Sequence, residues 1–159
     1  MKHSKITILL FLVIFFTFVS SACATGLSLS LNTFSINFST PTERALDDGY
    51  IDKDSMVNVH AVKVRVSGGD EGQSWKLYVR ADDSMLSPGV YGKGCGDLKW
   101  KFDHENANSY RKVRTYNQLV ASGSGVANVT KYIDLRMLLD WSDPPAGYSL
   151  GLTFTLKAE

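Results

Sequence analysis

The stretch Trp75-Lys76-Leu77-Tyr78-Val79-Arg80-Ala81 places apolar side chains at its odd-numbered positions and Lys, Tyr and Arg at its even-numbered positions. Successive side chains of a β-strand point to opposite faces, so the two sets lie on opposite sides of an extended chain. The stretch therefore predicts a strand with one buried face and one face toward solvent.

The same alternation recurs along the chain. It is regular over residues 98–102, 133–141 and 148–156, whereas the runs 27–38 and 57–66 shift their apolar parity midway. Such a shift predicts a bulge or a strand that contributes to two sheets. Asp143-Pro144-Pro145-Ala146-Gly147 separates the last two runs, which together predict a hairpin or a loop-joined pair of strands.

Turn-rich segments punctuate these runs, and none of the connections has the length and pattern of a crossover helix. Residues 40–55 are the longest predicted loop, and residues 108–120 fit a helix, a short strand or a loop. The sequence therefore predicts an all-β protein, an antiparallel Ig-like β-sandwich of about seven strands.

Residues 1–24 have the layout of a secretory signal peptide, with Lys2 and Lys5 before an apolar run at 6–19 and small residues up to Ala24. The run is shorter than a membrane-spanning helix. We therefore expect cleavage after Ala24, a single domain over residues 25–159 and no transmembrane anchor after cleavage. A lipoprotein signal with Cys23 as the acylated residue is the competing interpretation.

The charge balance excludes one class of protein, and the cysteine content excludes one source of stability. Without Lys2 and Lys5, the domain carries 15 basic against 16 acidic residues, which excludes the strongly basic balance typical of nucleic-acid-binding domains. Cys95 is the one cysteine left after cleavage, so the domain cannot form an internal disulfide and must depend on its apolar core.

The sequence lacks a recognisable catalytic set. His60 and His104 are the histidines of the predicted domain, and too few ligands surround them in the sequence for a zinc site. A Gly-x-Ser-x-Gly turn and a phosphate-binding glycine loop are both missing. We therefore expect no enzymatic activity, no metal and no cofactor. Residues 47–54, rich in Asp, predict a solvated acidic loop, with calcium binding as a second interpretation.

Basic and aromatic residues alternate between residues 91 and 116. Such a set can hold an anionic or glycan polymer, because rings stack on sugars and cations attract acidic groups. Outward lysines that protect an edge strand are the alternative interpretation. The predicted polymer-binding residues are Lys93, Lys99, Lys101, Tyr110, Arg111, Lys112, Arg114 and Tyr116.

Two short patterns occur together in one known family. Trp75-Lys76-Leu77 is a Trp-x-Leu, and the segment from Tyr148 to Leu156 resembles the Tyr-x-x-x-Leu-Thr-Trp-x-Leu that ends a WxL domain, with Phe154 in place of the second Trp. The chain thus resembles a WxL-type bacterial cell-surface domain. The matching residues are Trp75, Leu77, Tyr148, Leu152, Thr153, Phe154 and Leu156. The same positions also suit core packing in any sandwich.

The resemblance implies a secreted bacterial β-sandwich held non-covalently at the cell wall and assembled with other surface proteins. A weaker resemblance is to the spore-coat-U and fimbrial-subunit sandwiches. We therefore expect a secreted, non-catalytic cell-surface binding module whose partners are an envelope glycan polymer or other surface proteins. A structural subunit that assembles by strand exchange through the run 27–38 is the alternative.

Overall fold

A computed structural model describes residues 26–33, 35–53, 60–87, 92–143 and 147–159. The predicted signal peptide lies outside this range, as does Asp54 of the acidic segment. Across the described residues, the helices are all too short or too polar to cross a membrane.

The described residues form nine strands, two 3-10 turns and one short helix, α1 (Glu43–Asp48). The strands are β1 (Ser28–Leu31), β2 (Tyr50–Lys53), β3 (Val62–Gly68), β4 (Ser74–Ala81), β5 (Leu98–Phe102), β6 (Arg111–Lys112), β7 (Gln118–Ser124), β8 (Ala127–Leu138) and β9 (Leu152–Ala158). They form two antiparallel sheets in a sandwich-like arrangement, which confirms the predicted fold class.

The larger sheet has the order β1-β3-β8-β5-β6, with β2 also paired to β8. The long strand β8 organises this sheet, because β3 pairs with its first part as far as Ile133 and β2 pairs with its last part from Leu135. Asp134 lies between these two pairings. The smaller sheet has the order β7-β4-β9.

The inner faces of the two sheets build the core. In the larger sheet, β3, β5 and β8 bury alternate apolar residues, and in the smaller sheet β4 buries Trp75, Leu77, Val79 and Ala81 as the alternation predicts. Trp75 lies against Gly123 of β7, where an added Cβ would approach the indole carbon Cζ2 to 2.6 Å. Such a distance is well inside van der Waals contact, so the glycine makes room for the tryptophan.

The final two apolar runs do not form a hairpin. β8 belongs to the larger sheet and β9 to the smaller, so the chain crosses between the layers after β8. The alternation also ends before Trp141, which is 62% exposed. The prediction of a hairpin is wrong because turn residues between two strands do not reveal whether the strands share a sheet.

One further segment differs from expectation, and the structure decides between the alternatives for another. The predicted loop at 40–55 contains α1, whose first turn is capped by the Thr42 hydroxyl accepting from the Ala45 N–H at 3.2 Å, followed by β2. Residues 108–120 form the end of a 3-10 turn, β6 and the start of β7, so the short-strand alternative is confirmed and the helix is wrong. The strands β2 and β6 are short, and they pair with β8 and β5 respectively. These two strands bring the number of strands to nine, above the predicted seven.

Candidate functional site

The outward face of the larger sheet carries a concentration of cations and tyrosines. Residues opposite each other in an antiparallel pair have side chains on the same face, so the strand register identifies the outward positions. Lys99 is opposite Arg136, Lys101 is opposite Asp134, and Lys63 is opposite Tyr132. We call this set the outer face: Tyr50, Asp52, Lys63, Arg65, Lys99, Lys101, Lys112, Tyr132, Asp134 and Arg136.

A buried ion pair lies at the centre of the outer face. Asp134 is fully buried, and its Oδ2 accepts a hydrogen bond from the Lys101 ammonium at 2.8 Å. Its other oxygen lies 3.4 Å from Nδ1 of His60, in the residues that lead into β3. The Lys101 nitrogen is 5.4 Å from the centre of the Tyr110 ring. Both buried charges are thus compensated, as burial of a charge requires.

A second ion pair continues toward β2. The Arg136 guanidinium donates to both carboxylate oxygens of Asp52, at 2.6 and 2.8 Å. Its charged carbon lies 3.7 Å from the centre of the Tyr50 ring and 4.2 Å from that of Tyr110. The hydrogen bond with Asp52 raises the pKa of Arg136 above its already high value. A bidentate pair between two rings has a fixed geometry, so this part of the face is rigid.

Four other cations on the outer face have no such partner. Among the described residues, Lys63, Arg65, Lys99 and Lys112 form no ion pair within 4 Å. The Lys63 nitrogen lies 5.8 Å from the centre of the Tyr132 ring. The face therefore carries more positive than negative charge, and this excess is available to an anionic ligand.

The structure brings together half of the predicted polymer-binding set. Lys99, Lys101 and Lys112 are on the outer face, and Tyr110 packs over Lys101 and Arg136. Of these, Lys101 is only 6% exposed and forms an ion pair with Asp134. Its charge is therefore neutralised within the protein and is not free to bind a ligand.

The other four predicted residues lie elsewhere. Lys93 is 5% exposed and paired with Asp143, so it is not part of an exposed face. Arg111 is opposite the inward-facing Trp100 and pairs with Glu105. Arg114 accepts a backbone hydrogen bond from Ala81 of the smaller sheet, and the exposed Tyr116 follows it. Proximity in sequence does not keep these side chains on one face, because the chain turns from the larger sheet to the smaller after β6.

Sequence analysis did not identify the other members of the outer face. Tyr132 and Arg136 are polar members of the β8 alternation, between inward Ile133, Leu135 and Met137. That parity was a usable signal for both. The pairing of Arg136 with Asp52, and the position of Lys63 beside Tyr132, depend on strand register between distant segments and have no local signal.

His60 and His104 each lie beside a carboxylate. His104 Nδ1 is 3.2 Å from Asp103, and the His104 ring stacks on Phe102. Burial raises the pKa of Asp103, but the hydrogen bonds with His104 outweigh burial and lower it overall. Within the described residues, neither histidine forms a hydrogen bond to a serine, threonine or cysteine.

The thiol of Cys95 and the acidic residues have partners or surroundings of their own. Burial raises the pKa of Cys95, so the thiol stays in its less nucleophilic protonated form. The part of the chain that the structure describes has no cluster of three or more His, Cys, Asp and Glu residues able to hold a metal ion. Within the acidic segment, Asp52 is held by Arg136 and Asp47 accepts from the Trp141 indole.

Most of the residues that resemble the WxL patterns are next to each other and face inward, whereas Thr153 is opposite Arg80 and therefore lies on the other side of β9. β4 pairs with β9, which sets Leu77 opposite Leu156 and Val79 opposite Phe154. Trp75, Tyr148, Leu152 and Phe154 are each less than 5% exposed. Thr153 is also buried, and its hydroxyl donates to Asp82. The apolar members of this set pack in or against the core, so they do not themselves present a ligand-binding surface.

Comparisons of the chain with protein-family models, with curated proteins and with solved structures find no match.

Proposed function

We propose that the protein is an exported, non-catalytic binding module that attaches to an anionic, glycan-rich polymer of the bacterial cell envelope through the outer face. This is the role that the resemblance to WxL-type domains implies. The supporting observation is the group of four cations, Lys63, Arg65, Lys99 and Lys112, that have no carboxylate partner among the described residues.

The ion pairs at the centre of the outer face favour this role, because they make the face rigid. The pairs Lys101–Asp134 and Arg136–Asp52 fix the centre of the face, and Tyr50 and Tyr110 pack against the guanidinium. A preorganised surface loses little conformational entropy on binding. The unpaired cations then meet the acidic groups of the polymer, while tyrosine rings at their side offer contacts to sugar.

Pull-down on insoluble cell wall tests the proposal. The test variant Lys63→Gln/Lys99→Gln/Lys112→Gln removes three charges from the outer face. The matched control, Lys76→Gln/Arg80→Gln/Lys157→Gln, removes three charges from the outward face of the smaller sheet, where Lys76 is opposite Lys157. We expect the wild type and the control to sediment with the wall and the test variant to remain in the supernatant.

Two outcomes contradict the proposal. If the wild-type protein stays entirely in the supernatant, the protein does not bind the wall. If both triple variants lose retention equally, net charge and not the outer face is responsible. Retention should also fall as salt rises, since screening weakens attraction between exposed charges.

The alternative, a structural subunit that assembles by strand exchange, has one supporting observation. β1 lies at the edge of the larger sheet and is part of the run 27–38. An edge strand offers unpaired backbone groups to another chain. Size-exclusion chromatography with light scattering separates the two functions, because a ladder of oligomers supports the subunit and a monomer supports the binding module.

A further inference from the structure

One of the three tryptophans is on the surface. Trp75 and Trp100 are 2% and 3% exposed, whereas Trp141, in the turn that follows β8, is 62% exposed. Tryptophan is the side chain most enriched among residues that dominate binding energies, because it has a large area and few rotatable bonds. An exposed indole in an ordered turn is therefore a candidate contact residue.

The turn that carries Trp141 is held in place by several contacts. The backbone N–H and hydroxyl of Ser142 donate to Asp140 Oδ1 at 2.7 and 2.6 Å. The Asp143 N–H donates to the Asp140 carbonyl at 2.9 Å, and the buried Lys93 pairs with the Asp143 carboxylate. The turn is therefore ordered from both of its ends.

The indole itself is oriented. Its Nε1–H donates to Oδ1 of Asp47 at 3.2 Å, near the end of α1. The single polar atom of the side chain is thus satisfied inside the protein, while most of the side chain still faces solvent. A fixed, exposed aromatic surface is preorganised for stacking and loses little entropy when a ligand covers it.

The surroundings indicate which ligand fits. Asp47, Asp140 and Ser142 around the indole are all exposed and offer oxygen acceptors. Among the described residues, the other large exposed apolar side chains, Tyr116, Leu119 and Val126, are in or beside β7 and not in the turn that carries Trp141. The carboxylates repel anions, and these apolar side chains belong to another part of the sandwich, so the described surroundings of Trp141 do not match an apolar protein anchor. A sugar ring matches both features, with C–H groups over the indole and hydroxyls that donate to carboxylates.

We propose that Trp141 is the stacking platform of a subsite for a neutral pyranose ring. This inference deepens the proposed function and rests on it, since it adds a sugar-reading position to a module that holds an anionic glycan through the outer face. The acidic surroundings of Trp141 and the cationic outer face then recognise different parts of one polymer.

Intrinsic fluorescence tests this subsite directly, because Trp141 is the one exposed indole. The probe is the tetramer of N-acetylglucosamine, titrated into the full protein while tryptophan emission and its quenching by acrylamide are recorded. We expect a blue shift of the emission and protection from acrylamide at saturation. Calorimetry should show that Trp141→Ala binds the tetramer about tenfold more weakly or worse, and that Trp141→Phe keeps part of the affinity.

Tyr116→Ala is the matched control, because it removes another exposed ring from a different part of the sandwich. It should bind the tetramer like the wild type. Equal affinities for the wild type and Trp141→Ala, or no protection of Trp141 at saturating tetramer, would overturn the proposal. The wall pull-down depends on lysines of the outer face and on a different ligand, so failure of the subsite and failure of the proposed function give distinct results.

Discussion

The two sheets use their polar and aromatic residues in different ways. In the smaller sheet, the apolar residues that resemble a surface-family pattern are turned into the core, where Trp75 packs on Gly123. In the larger sheet, the core is ordinary and the outward side carries ion pairs, tyrosines and unpaired cations. Residues that resemble a family pattern therefore need not be the residues that contact a ligand.

Loss of a motif side chain in the smaller sheet should have the largest effect on stability. Trp75→Ala removes a fully buried indole and leaves a cavity, so we expect the free energy of unfolding to fall by about 3–5 kcal/mol. Urea denaturation measures this change. Trp141→Ala, at an exposed position, should change it by less than about 0.5 kcal/mol. Similar losses in the two variants would contradict the assignment of Trp75 to the core.

The next largest loss of stability is expected when the Lys101–Asp134 ion pair at the centre of the outer face is broken. Lys101→Met leaves Asp134 buried with only His60 beside it, and an uncompensated buried charge costs about 3 kcal/mol of unfolding free energy. Lys101→Met/Asp134→Leu removes both charges and should recover most of that loss. A double variant that is as unstable as the single variant would show that the pair is not the cause.

Exposed cations of the same face should matter little for stability. Lys63→Gln/Lys99→Gln/Lys112→Gln removes no ion pair among the described residues, so its free energy of unfolding should stay within about 1 kcal/mol of the wild type. The same variant should lose the salt-sensitive part of its retention on the cell wall. A large loss of stability would mean that these lysines are structural, as Lys101 is.

The turn at the end of the larger sheet should give the smallest effect, as a dependence on pH. Hydrogen bonds from Ser142 lower the pKa of Asp140. A lowered folded-state pKa means that the ionised carboxylate favours folding above its ordinary pKa, and that this contribution disappears as the pH falls through the lowered value. Ser142→Ala should therefore unfold at a slightly lower temperature than the wild type at neutral pH.

At acidic pH the unfolding temperatures of the wild type and Ser142→Ala should become equal. The midpoints of thermal unfolding should be measured for both proteins from about pH 6 to about pH 2. The Asp140 carboxylate becomes protonated as the pH falls, first in the unfolded and then in the folded state. A difference that grows toward low pH would have the wrong sign and would contradict the role of Ser142.

The alternation in β4, β5 and β8 was enough to predict the sheet class and the buried faces, because period-two patterns report directly which side of a strand is apolar. The partner of each strand was not predictable. The separation of β8 from β9 into different sheets depends on packing of the whole sandwich. The outer face depends likewise on register, which sets Asp52 opposite Arg136.

The buried lysines were the residues most easily misread. Lys93 and Lys101 have the sequence context of surface residues, and each is instead enclosed with an aspartate from a distant segment. Local sequence carries no information about that distant carboxylate, whereas Lys99 and Lys112 follow the simple rule that an unpaired lysine stays in solvent.

The central position of β8 also sets the order in which the protein can fold. Its partners β2, β3 and β5 all precede it in the sequence. Tyr50, for example, pairs with Leu138, so it has no partner in the sheet until the end of β8 has been synthesised. Pairing between such distant segments is slow, because the chain must close long loops first. The larger sheet therefore cannot assemble until residues near the end of β8 are present, so its early strands are without their partner for most of the chain's synthesis.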